Sequence, residues 1–547
     1  MTKKNFFKIA TSFILVMIMI LTTVAATACQ TENGGDDTST PETPAEPMRD
    51  PIDDNYRTFY QIFVGSFSDG NNDGIGDLMG VINRMDYLND GDINNGNDLG
   101  VQGIWLSPIF SSPTYHKYDA KDYYQIDWRF GTEDTLKQLI DLCHERNVKI
   151  ILDLAINHTS DQHPWFQEFK KARMEGDVDS KYYNFYTCVK AADKQNGITY
   201  QQVPTVDCWF ECNFSGSMPE LNFDNPDVRE AMLDVARYYL NLGVDGFRFD
   251  AVKYIYYGNT SKSVAFWNWY MGVLREEYPD IYTIGECWSA DSEVIQYYGA
   301  TNCFNFTMAG AEGKVAMAAK GTSSIGQYTT YVVGYQNMIK NKNSDAMMIP
   351  FLSNHDQDRI AGAFVTDNNM KMAANLYLLG PGSPVIYYGE EIGMRGTRGN
   401  ALTDANRRLA MLWGDDDLVT NPTGSTFLSS KQIKTTVTSQ LQDPNSLVNH
   451  YSAVISVRHK YPAIARGTYS VLSSANKNLG GFLVSYEGEK LGIIHNTSSS
   501  AITFDLSQLS GLNGYSFSQI CDYVGVGSAK LEGTVLVIGA HTSVILK

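Results

Sequence analysis

Eight short apolar segments alternate with amphipathic helical segments between residues 59 and 388, and this alternation restricts the fold more than any other feature of the sequence. The strand-like segments are 59–64, 103–106, 148–154, 245–250, 281–286, 303–306, 347–352 and 384–388. Helical patterns fit between them. The pattern at 226–242, for example, has Pro226 in its first turn and Gly243 just past its end. Strands that alternate with helices form parallel sheets, so eight such units predict an α/β fold, the (β/α)8 TIM barrel.

The spacing of the strands predicts two additions to this barrel. About 90 residues separate the third strand from the fourth, far more than one helix needs, which indicates an inserted domain. Near the C-terminus the pattern changes to short strands at 467–472, 481–486, 490–495, 501–505 and 534–546, typical of an antiparallel β-sandwich. The barrel is thus predicted to consist of two stretches, 51–158 and 219–465, with the inserted domain at 159–218 between them and the β-sandwich at 466–547.

The N-terminus has the features of an export signal. Three lysines precede an apolar run at 9–24, and small residues lie directly before Cys29. This pattern resembles a bacterial lipoprotein processing site, so residues 1–28 are predicted to be a signal peptide and Cys29 the lipidated first residue of the mature protein. Residues 29–50 are rich in Thr, Pro and acids and are predicted to be a flexible tether. The alternatives are an ordinary secretory signal or an uncleaved anchor.

Charge and cysteine content restrict the partners and the cofactors. The net charge is −18, and it becomes −21 without residues 1–28, which contain three lysines and no acids. Such an acidic chain argues against nucleic acid and favours a neutral substrate. We predict an extracellular monomer that contacts a membrane only through the lipid on Cys29. Cys188, Cys208 and Cys212 cluster closely enough for one disulfide, and no cysteine or histidine spacing predicts a structural zinc.

Polar residues follow several of the predicted strands, where catalytic groups of such barrels lie. The segment 245–250 places Arg248 and Asp250 two positions apart, hence on one face of a strand, where the guanidinium can hold the carboxylate ionised. Taken alone, this pair could equally be a surface ion pair at the end of a core strand. Glu286 and Asp356 follow two further strands, and clustered acids repel one another. Their convergence at one barrel mouth therefore predicts a catalytic site.

The chain resembles the α-amylase family, glycoside hydrolase family 13. DLAINH at 153–158, GFRFDAVK at 246–253, GECW at 285–288 and FLSNHD at 351–356 match the four main signature regions of the family, in order. MPELN at 218–222, GIWLSPIF at 103–110 and GSPVIYYGEE at 382–391 match its auxiliary regions. The pattern resembles extracellular bacterial α-amylases that are intermediate between the oligo-1,6-glucosidase and neopullulanase subfamilies.

The resemblance implies roles for individual residues. It implies three catalytic carboxylates, namely Asp250 as the nucleophile, Glu286 as the general acid/base and Asp356 as the stabiliser of the transition state. It also implies five substrate-binding residues, namely Tyr118, His158, Arg248, Lys253 and His355. A nucleophile and an acid about 5–5.5 Å apart would act by two displacements with net retention of configuration.

A candidate metal site follows the first predicted strand. Oxygen-bearing side chains alternate around glycines at Asp69, Asn71, Asp73 and Asp77, and the carbonyl of Ile75 stands at the seventh position, as in the front of an EF-hand loop. Position twelve is Gly80 and not Glu, so the loop is no EF-hand, and a polar loop without an ion is the alternative. Because family relatives bind calcium in this loop, the resemblance implies Ca2+ as the cofactor.

The resemblance also predicts a specific activity. The sequence predicts a retaining, endo-acting α-amylase that hydrolyses internal α-1,4-glucosidic bonds of starch and maltooligosaccharides. Ala251 stands where α-1,6-acting relatives tend to carry Val, and Tyr115 stands where exo-acting relatives carry an acid. The alternatives are a 4-α-glucanotransferase or neopullulanase-like enzyme of the same family and, in another class, a non-catalytic cell-surface glycan-binding protein.

Overall fold

The computed structural model describes residues 52–547. The predicted signal peptide, the lipidation site Cys29 and the whole of the predicted tether lie outside the described residues and stay predictions. Among the helices of residues 52–547, none has the length and apolar character needed to cross a membrane.

A parallel sheet forms the centre of the molecule. Its seven strands lie in the spatial order Asn302–Cys303, Tyr282–Gly285, Gly246–Phe249, Lys149–Leu154, Gly103–Leu106, Phe59–Ile62 and Val385–Tyr387. Two isolated parallel bridges, Phe304 to Ile349 and Phe351 to Val385, connect the outer strands and close the barrel. The predicted strand 347–352 thus contributes only bridges, because Pro350 in its middle has no N–H to donate to a ladder. The predicted (β/α)8 barrel is confirmed.

The helices lie largely where the sequence pattern places them. The α-helices are Leu78–Asn83, Met85–Leu88, Glu133–Glu145, Pro164–Glu175, Pro226–Leu242, Thr260–Glu277, Asp291–Tyr297, Lys314–Ala319, Ile325–Lys342, Asp367–Leu378, Val437–Leu441, Leu447–Lys460 and Ala463–Arg466. The helix Pro226–Leu242 has the predicted bounds, because Asn225 accepts a hydrogen bond from the N–H of Asp227 at its start and Gly243 takes φ 112° at its end.

The segment between the third and fourth barrel strands forms a small sheet of its own. Three short strands, Cys188–Val189, Tyr200–Gln202 and Trp209–Glu211, form an antiparallel sheet with the last of them in the centre. A disulfide joins Cys188 to Cys208 within this segment. A bridge from His158 to Glu220 attaches the segment to the barrel. A separate antiparallel pair, Phe110–Ser111 and Asp122–Ile126, encloses the loop that carries Tyr118.

Two antiparallel sheets form the C-terminal region and confirm the predicted sandwich. The larger sheet contains Thr468–Ser473, Leu479–Tyr486, Glu489–Asn496, Thr542–Leu546 and Ile520–Gly525, and the smaller contains Ile502–Asp505, Val535–Ile538 and Ala529–Glu532. The prediction of one strand over 534–546 is wrong. The chain turns at Gly539 to His541, where His541 has φ 44°, so that the first half pairs in the smaller sheet and the second in the larger. Leu536, Ile538 and Val544 pack together in the core between the sheets.

Two adjacent glutamates that follow the last barrel strand, Glu390 and Glu391, are buried. Glu390 Oε1 accepts hydrogen bonds from the hydroxyls of Tyr377 at 2.8 Å and Tyr451 at 2.9 Å, and Glu390 Oε2 has no partner in residues 52–547. Burial, with a contribution from Glu391, raises the pKa of Glu390 to about 8, although both tyrosine hydroxyls oppose the shift. The Glu390 carboxyl is therefore protonated in the folded protein at neutral pH.

This burial predicts a pH-dependent effect of Glu390→Gln on stability. The unfolded chain ionises Glu390 near its ordinary pKa of about 4.3. Between that pH and the folded pKa of about 8, the native state binds more protons than the unfolded state, so this group lowers stability as pH rises. Glu390→Gln keeps an acceptor for the tyrosines and removes the titration. In urea unfolding, the free energy of unfolding of the variant relative to that of the native protein should be at least about 1 kcal/mol higher at pH 8 than at pH 5.

Exposed Glu145→Gln is the matched control, and its difference from the native protein should not change with pH. An equal stability difference for Glu390→Gln at both pH values would show that Glu390 does not titrate in this window.

Candidate active site

The buried guanidinium of Arg248 organises the carboxylates at the C-terminal mouth of the barrel. Arg248 is fully buried, and its Nη1 donates to Asp153 Oδ1 at 2.7 Å and to Asp250 Oδ1 at 2.8 Å. Its Nη2 lies 3.3 Å from Glu286 Oε2. One cation thus contacts three carboxylates that arrive from three neighbouring strands. The bond from Arg248 to Asp250 is charge-assisted, and the predicted pairing of these two residues is found.

The backbone at Ala251 positions the carboxyl group of Glu286. Ala251 has φ 51° and ψ 43°, a left-handed conformation that is uncommon for residues other than glycine. In this conformation its N–H donates to Glu286 Oε2 at 3.0 Å. Strained backbone of this kind clusters at functional sites. A β-branched residue would fit this conformation less well than alanine does.

Glu286 and Asp356 have opposite electrostatic environments. Burial is the main cause that raises the pKa of Glu286 to about 7, Arg248 opposes the shift, and the carboxylates of Asp250 and Asp356 add to it. Burial also acts against ionisation of Asp356, but His355 and Arg408 together hold its pKa well below the usual range. Arg408 Nη2 donates to Asp356 Oδ1 at 2.8 Å. Near neutral pH the site therefore offers one carboxyl that can donate a proton and one that remains charged.

His355 and Tyr118 lie in contact under this carboxylate group. Their rings stack at 5.3 Å between centroids with an angle of 11°, and His355 Nε2 lies 2.6 Å from the Tyr118 hydroxyl. The same nitrogen lies 3.0 Å from Asp356 Oδ2. The Tyr118 hydroxyl donates to Asp153 Oδ2 at 2.8 Å. The structure therefore places Tyr118 and His355 together with the three predicted catalytic acids.

The other two predicted substrate-binding residues border the same group. His158 is buried, its Nε2 lies 3.1 Å from the carbonyl oxygen of Tyr118, and its ring packs against Phe214. Lys253 lies on the short 3-10 helix that follows Asp250, and its Nζ donates to the carbonyl oxygen of Trp288 at 2.7 Å. Trp288 keeps 47% of its surface exposed and stacks on Phe306.

Three residues of this network were not identified from the sequence: Asp153, Arg408 and Gln61. Asp153 was recognisable in principle, because it belongs to the quoted DLAINH motif and shares a strand end with His158. Arg408 follows a short 3-10 helix, Asp404–Arg407, in a segment without periodicity, so no local pattern indicated it. Gln61, whose Nε2 lies 2.7 Å from His355 Nδ1, is inside the first strand, where it resembles an ordinary buried strand residue.

Two cavities adjoin the site. One of about 110 Å3 has Tyr115 in its wall together with Phe63, Phe130 and Pro422. The other, of about 830 Å3, is lined mainly by polar residues, among them Lys253, Tyr257 and Asn222. The Tyr115 hydroxyl accepts a hydrogen bond from Arg408 at 3.2 Å. Space for a ligand is thus present both beside Tyr115 and beside Lys253.

The candidate calcium loop is folded around the carboxylate of Asp69. Both oxygens of Asp69 accept backbone N–H groups, from Asn71, Asn72, Asp73 and Gly74. Burial raises the pKa of Asp77, and the carboxylates of Asp69 and Asp73 add to the shift. The donors are all oxygens and their mutual repulsion would be relieved by a hard cation, so their chemistry fits Ca2+. In residues 52–547, however, no three His, Cys, Asp or Glu side chains come together closely enough to hold a metal.

A (β/α)8 barrel with a proton-donating carboxyl and a charged carboxylate at its mouth has the groups of a glycoside-cleaving enzyme. Residues 61–467 match the family model of the α-amylase catalytic domain. Alpha-amylase 3 of Dictyoglomus thermophilum is 32% identical over 503 residues, which cover 89% of this chain and 92% of that protein. The chain therefore belongs to the α-amylase family, glycoside hydrolase family 13.

Solved structures agree with this assignment. The structure of Eubacterium rectale Amy13B has a TM-score of 0.82 and 34% identity, covering 91% of this chain and 97% of that one. The α-amylase from H. orenii has a TM-score of 0.79 and 30% identity, covering 90% and 99% respectively. Relatives named oligo-1,6-glucosidase and 4-alpha-glucanotransferase also match, at 27% and 28% identity. Family membership thus establishes the class of enzyme and leaves several activities open within it.

Proposed function

We propose that this protein is a retaining, endo-acting α-amylase that hydrolyses internal α-1,4-glucosidic bonds of starch and maltooligosaccharides. The observation that carries the proposal is the unequal environment of two carboxyl groups, Asp250 and Glu286, that contact one guanidinium. Asp250 receives a charge-assisted hydrogen bond from Arg248, whereas the pKa of Glu286 is raised to about 7. Retaining glycosidases need one ionised nucleophile beside one protonated acid.

In the proposed mechanism Glu286 donates its proton to the glycosidic oxygen while Asp250 attacks the anomeric carbon. Glu286, now ionised, then takes a proton from the water that displaces Asp250 from the sugar. Asp356, held charged by Arg408 and His355, stabilises the positive charge that develops on the sugar ring. Tyr118, His158 and His355 are proposed to bind the sugar being cleaved, and Lys253 to contact the leaving side.

Endo action is proposed from the surroundings of Tyr115. An enzyme that binds the end of a sugar chain needs a polar group that is free to hold the terminal hydroxyl. The guanidinium of Arg408 already donates to the Tyr115 hydroxyl and to Asp356, so it is not free for this role. The cavity of about 830 Å3 beside Lys253 supports the proposal, because it offers space for further sugars next to this residue. Ala251 instead of Val supports the preference for α-1,4 bonds.

Product analysis tests this proposal directly. The purified protein is incubated with amylose, an end-blocked maltooligosaccharide and pullulan, beside Asp250→Asn. We expect rapid loss of amylose length, cleavage of the blocked substrate and α-anomers as the first products, followed by NMR, and a loss of at least about a thousandfold in the variant, because the nucleophile is removed.

Each other outcome has a distinct meaning. Products longer than the starting oligosaccharide would favour a 4-α-glucanotransferase, and pullulan cleavage that exceeds amylose cleavage would favour a neopullulanase-like enzyme. Sugar binding with no turnover by the native protein would favour the glycan-binding protein and exclude the enzyme.

The raised pKa of Glu286 predicts the alkaline limb of the pH profile. Above pH about 7 Glu286 loses the proton that it must donate, so kcat/KM should fall about tenfold per pH unit beyond this point. Initial rates on the blocked oligosaccharide measure the profile. Glu220→Gln is the matched control, because burial also raises the pKa of Glu220 to about 7, and this variant should keep the limb. Loss of the limb in Glu220→Gln would assign it to Glu220 instead.

We also propose that the loop from Asp69 to Asp77 binds a structural Ca2+ through Asp69, Asn71, Asp73, Asp77 and the carbonyl of Ile75. The oxygen donors and the repulsion among their carboxylates support this proposal. The bound ion would neutralise the loop, which contacts the chain near residue 417 through the bond from Asp69 N to Asp417 Oδ1. Its proposed role is stability and not chemistry.

Chelation tests the calcium proposal without an activity assay. A chelator should lower the unfolding temperature of the native protein, and Ca2+ at about 100 times its Kd should restore about 2.7 kcal/mol. Asp73→Asn should respond much less. Asp92→Asn, in a second exposed loop rich in Asp, Asn and Gly, should respond like the native protein. An unfolding temperature that does not depend on Ca2+ would refute the site.

A further inference from the structure

Arg407 joins the main chain at Asp356 to two acidic side chains. Its Nη1 donates to the carbonyl oxygen of Asp356 at 2.7 Å and to Asp404 Oδ1 at 2.9 Å. Its Nε donates to Asp358 Oδ1 at 2.8 Å. The side chain of Arg407 keeps only 16% of its surface exposed. One guanidinium thus bonds a peptide carbonyl and two carboxylates.

The backbone of Arg407 is itself held by the wall of the barrel. Its carbonyl oxygen accepts hydrogen bonds from the Tyr387 hydroxyl and from Arg359 Nε, both at 3.1 Å. Tyr387 ends the last barrel strand, Val385–Tyr387, and both donor residues are buried. Arg407 therefore connects the last barrel strand to the main chain at Asp356.

The main chain at Asp356 depends on side chains for its hydrogen bonds. The preceding segment contributes to the barrel only through the bridges at Ile349 and Phe351, and Asp356 lies beyond the second of them. The N–H of Asp356 donates to Asn354 Oδ1 at 3.0 Å, and its carbonyl oxygen accepts from Arg407. Both backbone groups of this residue are thus bonded to side chains.

The two acids alone do not account for an arginine at this position. Asp358 keeps 51% and Asp404 33% of the side-chain surface exposed, so water can solvate both carboxylates. Exposed ion pairs of this kind contribute little to stability. Asp404 also has a second cation, because Arg398 Nε lies 3.2 Å from its Oδ1. A planar guanidinium, unlike a flexible ammonium, bonds the carboxylates and the carbonyl in fixed directions at once.

We propose that Arg407 is a positioning residue that holds the backbone at Asp356 and so sets the distance from its carboxylate to the sugar being cleaved. Arg408 bonds this carboxylate directly, whereas Arg407 bonds only the main chain of Asp356. Catalysis is sensitive to placement, since a shift of about 1 Å can cost about a hundredfold in rate. The effect on rate rests on the proposed function, whereas the effect on the mobility of this segment does not.

Kinetics of Arg407→Met test the positioning role. Met removes the three hydrogen bonds and leaves only partly exposed acids without this cation, so the variant should fold. On the end-blocked maltooligosaccharide we expect kcat to fall about tenfold to a hundredfold, because Asp356 acts on the transition state. KM should stay within about twofold of the native value, since ground-state binding is not removed.

Two further variants separate position from charge. Arg407→Lys keeps the charge beside both acids but not the planar guanidinium, and its kcat should also fall. Arg398→Met is the matched control, because it removes the other cation of Asp404 without a contact to Asp356, and it should keep the native kcat. A native kcat in Arg407→Met would overturn the proposal. A native kcat in Arg407→Lys alone would assign the effect to charge and would also overturn it.

Hydrogen exchange followed by mass spectrometry tests the same role without any substrate. In Arg407→Met we expect exchange across residues 353–360 to become about tenfold faster, because the segment opens more readily without this bond. Peptides from the strand Gly246–Phe249 should keep the native rate, and Arg398→Met should leave both regions unchanged. Equal exchange across 353–360 in the two variants would overturn the proposal. An inactive native protein whose Arg407→Met variant shows the faster exchange would refute only the proposed function.

Discussion

The site depends on one buried cation surrounded by three acids. Arg248 has no exposed surface, and it lies against Asp153, Asp250 and Glu286. Taking any of these charges out of water is costly, and only their mutual attraction offsets the cost. The arrangement holds together because adjacent parallel strands bring their C-terminal ends to the same place. The register of the barrel strands therefore also determines how Asp153, Asp250 and Glu286 are arranged around Arg248.

The single guanidinium does not make its carboxylates equivalent. Glu286 receives the strained N–H of Ala251 and a longer contact to Arg248, and burial dominates its pKa. Asp356 has a guanidinium of its own, Arg408, and a histidine. Carboxyl groups of similar intrinsic pKa thus acquire different properties here, because each contacts a different number of cations at different distances. The chemistry is determined by neighbours and not by the acids themselves.

Much of this arrangement could be predicted from the sequence, and the remainder has identifiable physical reasons. Period-two spacing predicted the Arg248–Asp250 contact, and the strand and helix patterns predicted the barrel. Arg408 could not be predicted, because an irregular segment about 50 residues beyond Asp356 supplies it only through tertiary folding. Gln61 contacts His355 from inside a largely apolar strand, where hydrophobic periodicity alone predicts only packing. The prediction of one continuous strand over 534–546 was wrong, because the turn within it contains little besides Gly539 that a sequence pattern could recognise.

The bridge strand at 349–351 gives the barrel a seam. Elsewhere neighbouring strands share continuous ladders, but across this seam isolated bridges on either side of Pro350 hold the ring together. Asp250 and Glu286 follow strands of the continuous sheet, whereas His355 and Asp356 follow the seam. The proposed nucleophile and proton donor therefore follow strands that share a continuous ladder, whereas the proposed transition-state stabiliser follows a strand held by isolated bridges. An opening motion at this seam would change the distance between Asp356 and Asp250 more readily than the distance between Asp250 and Glu286.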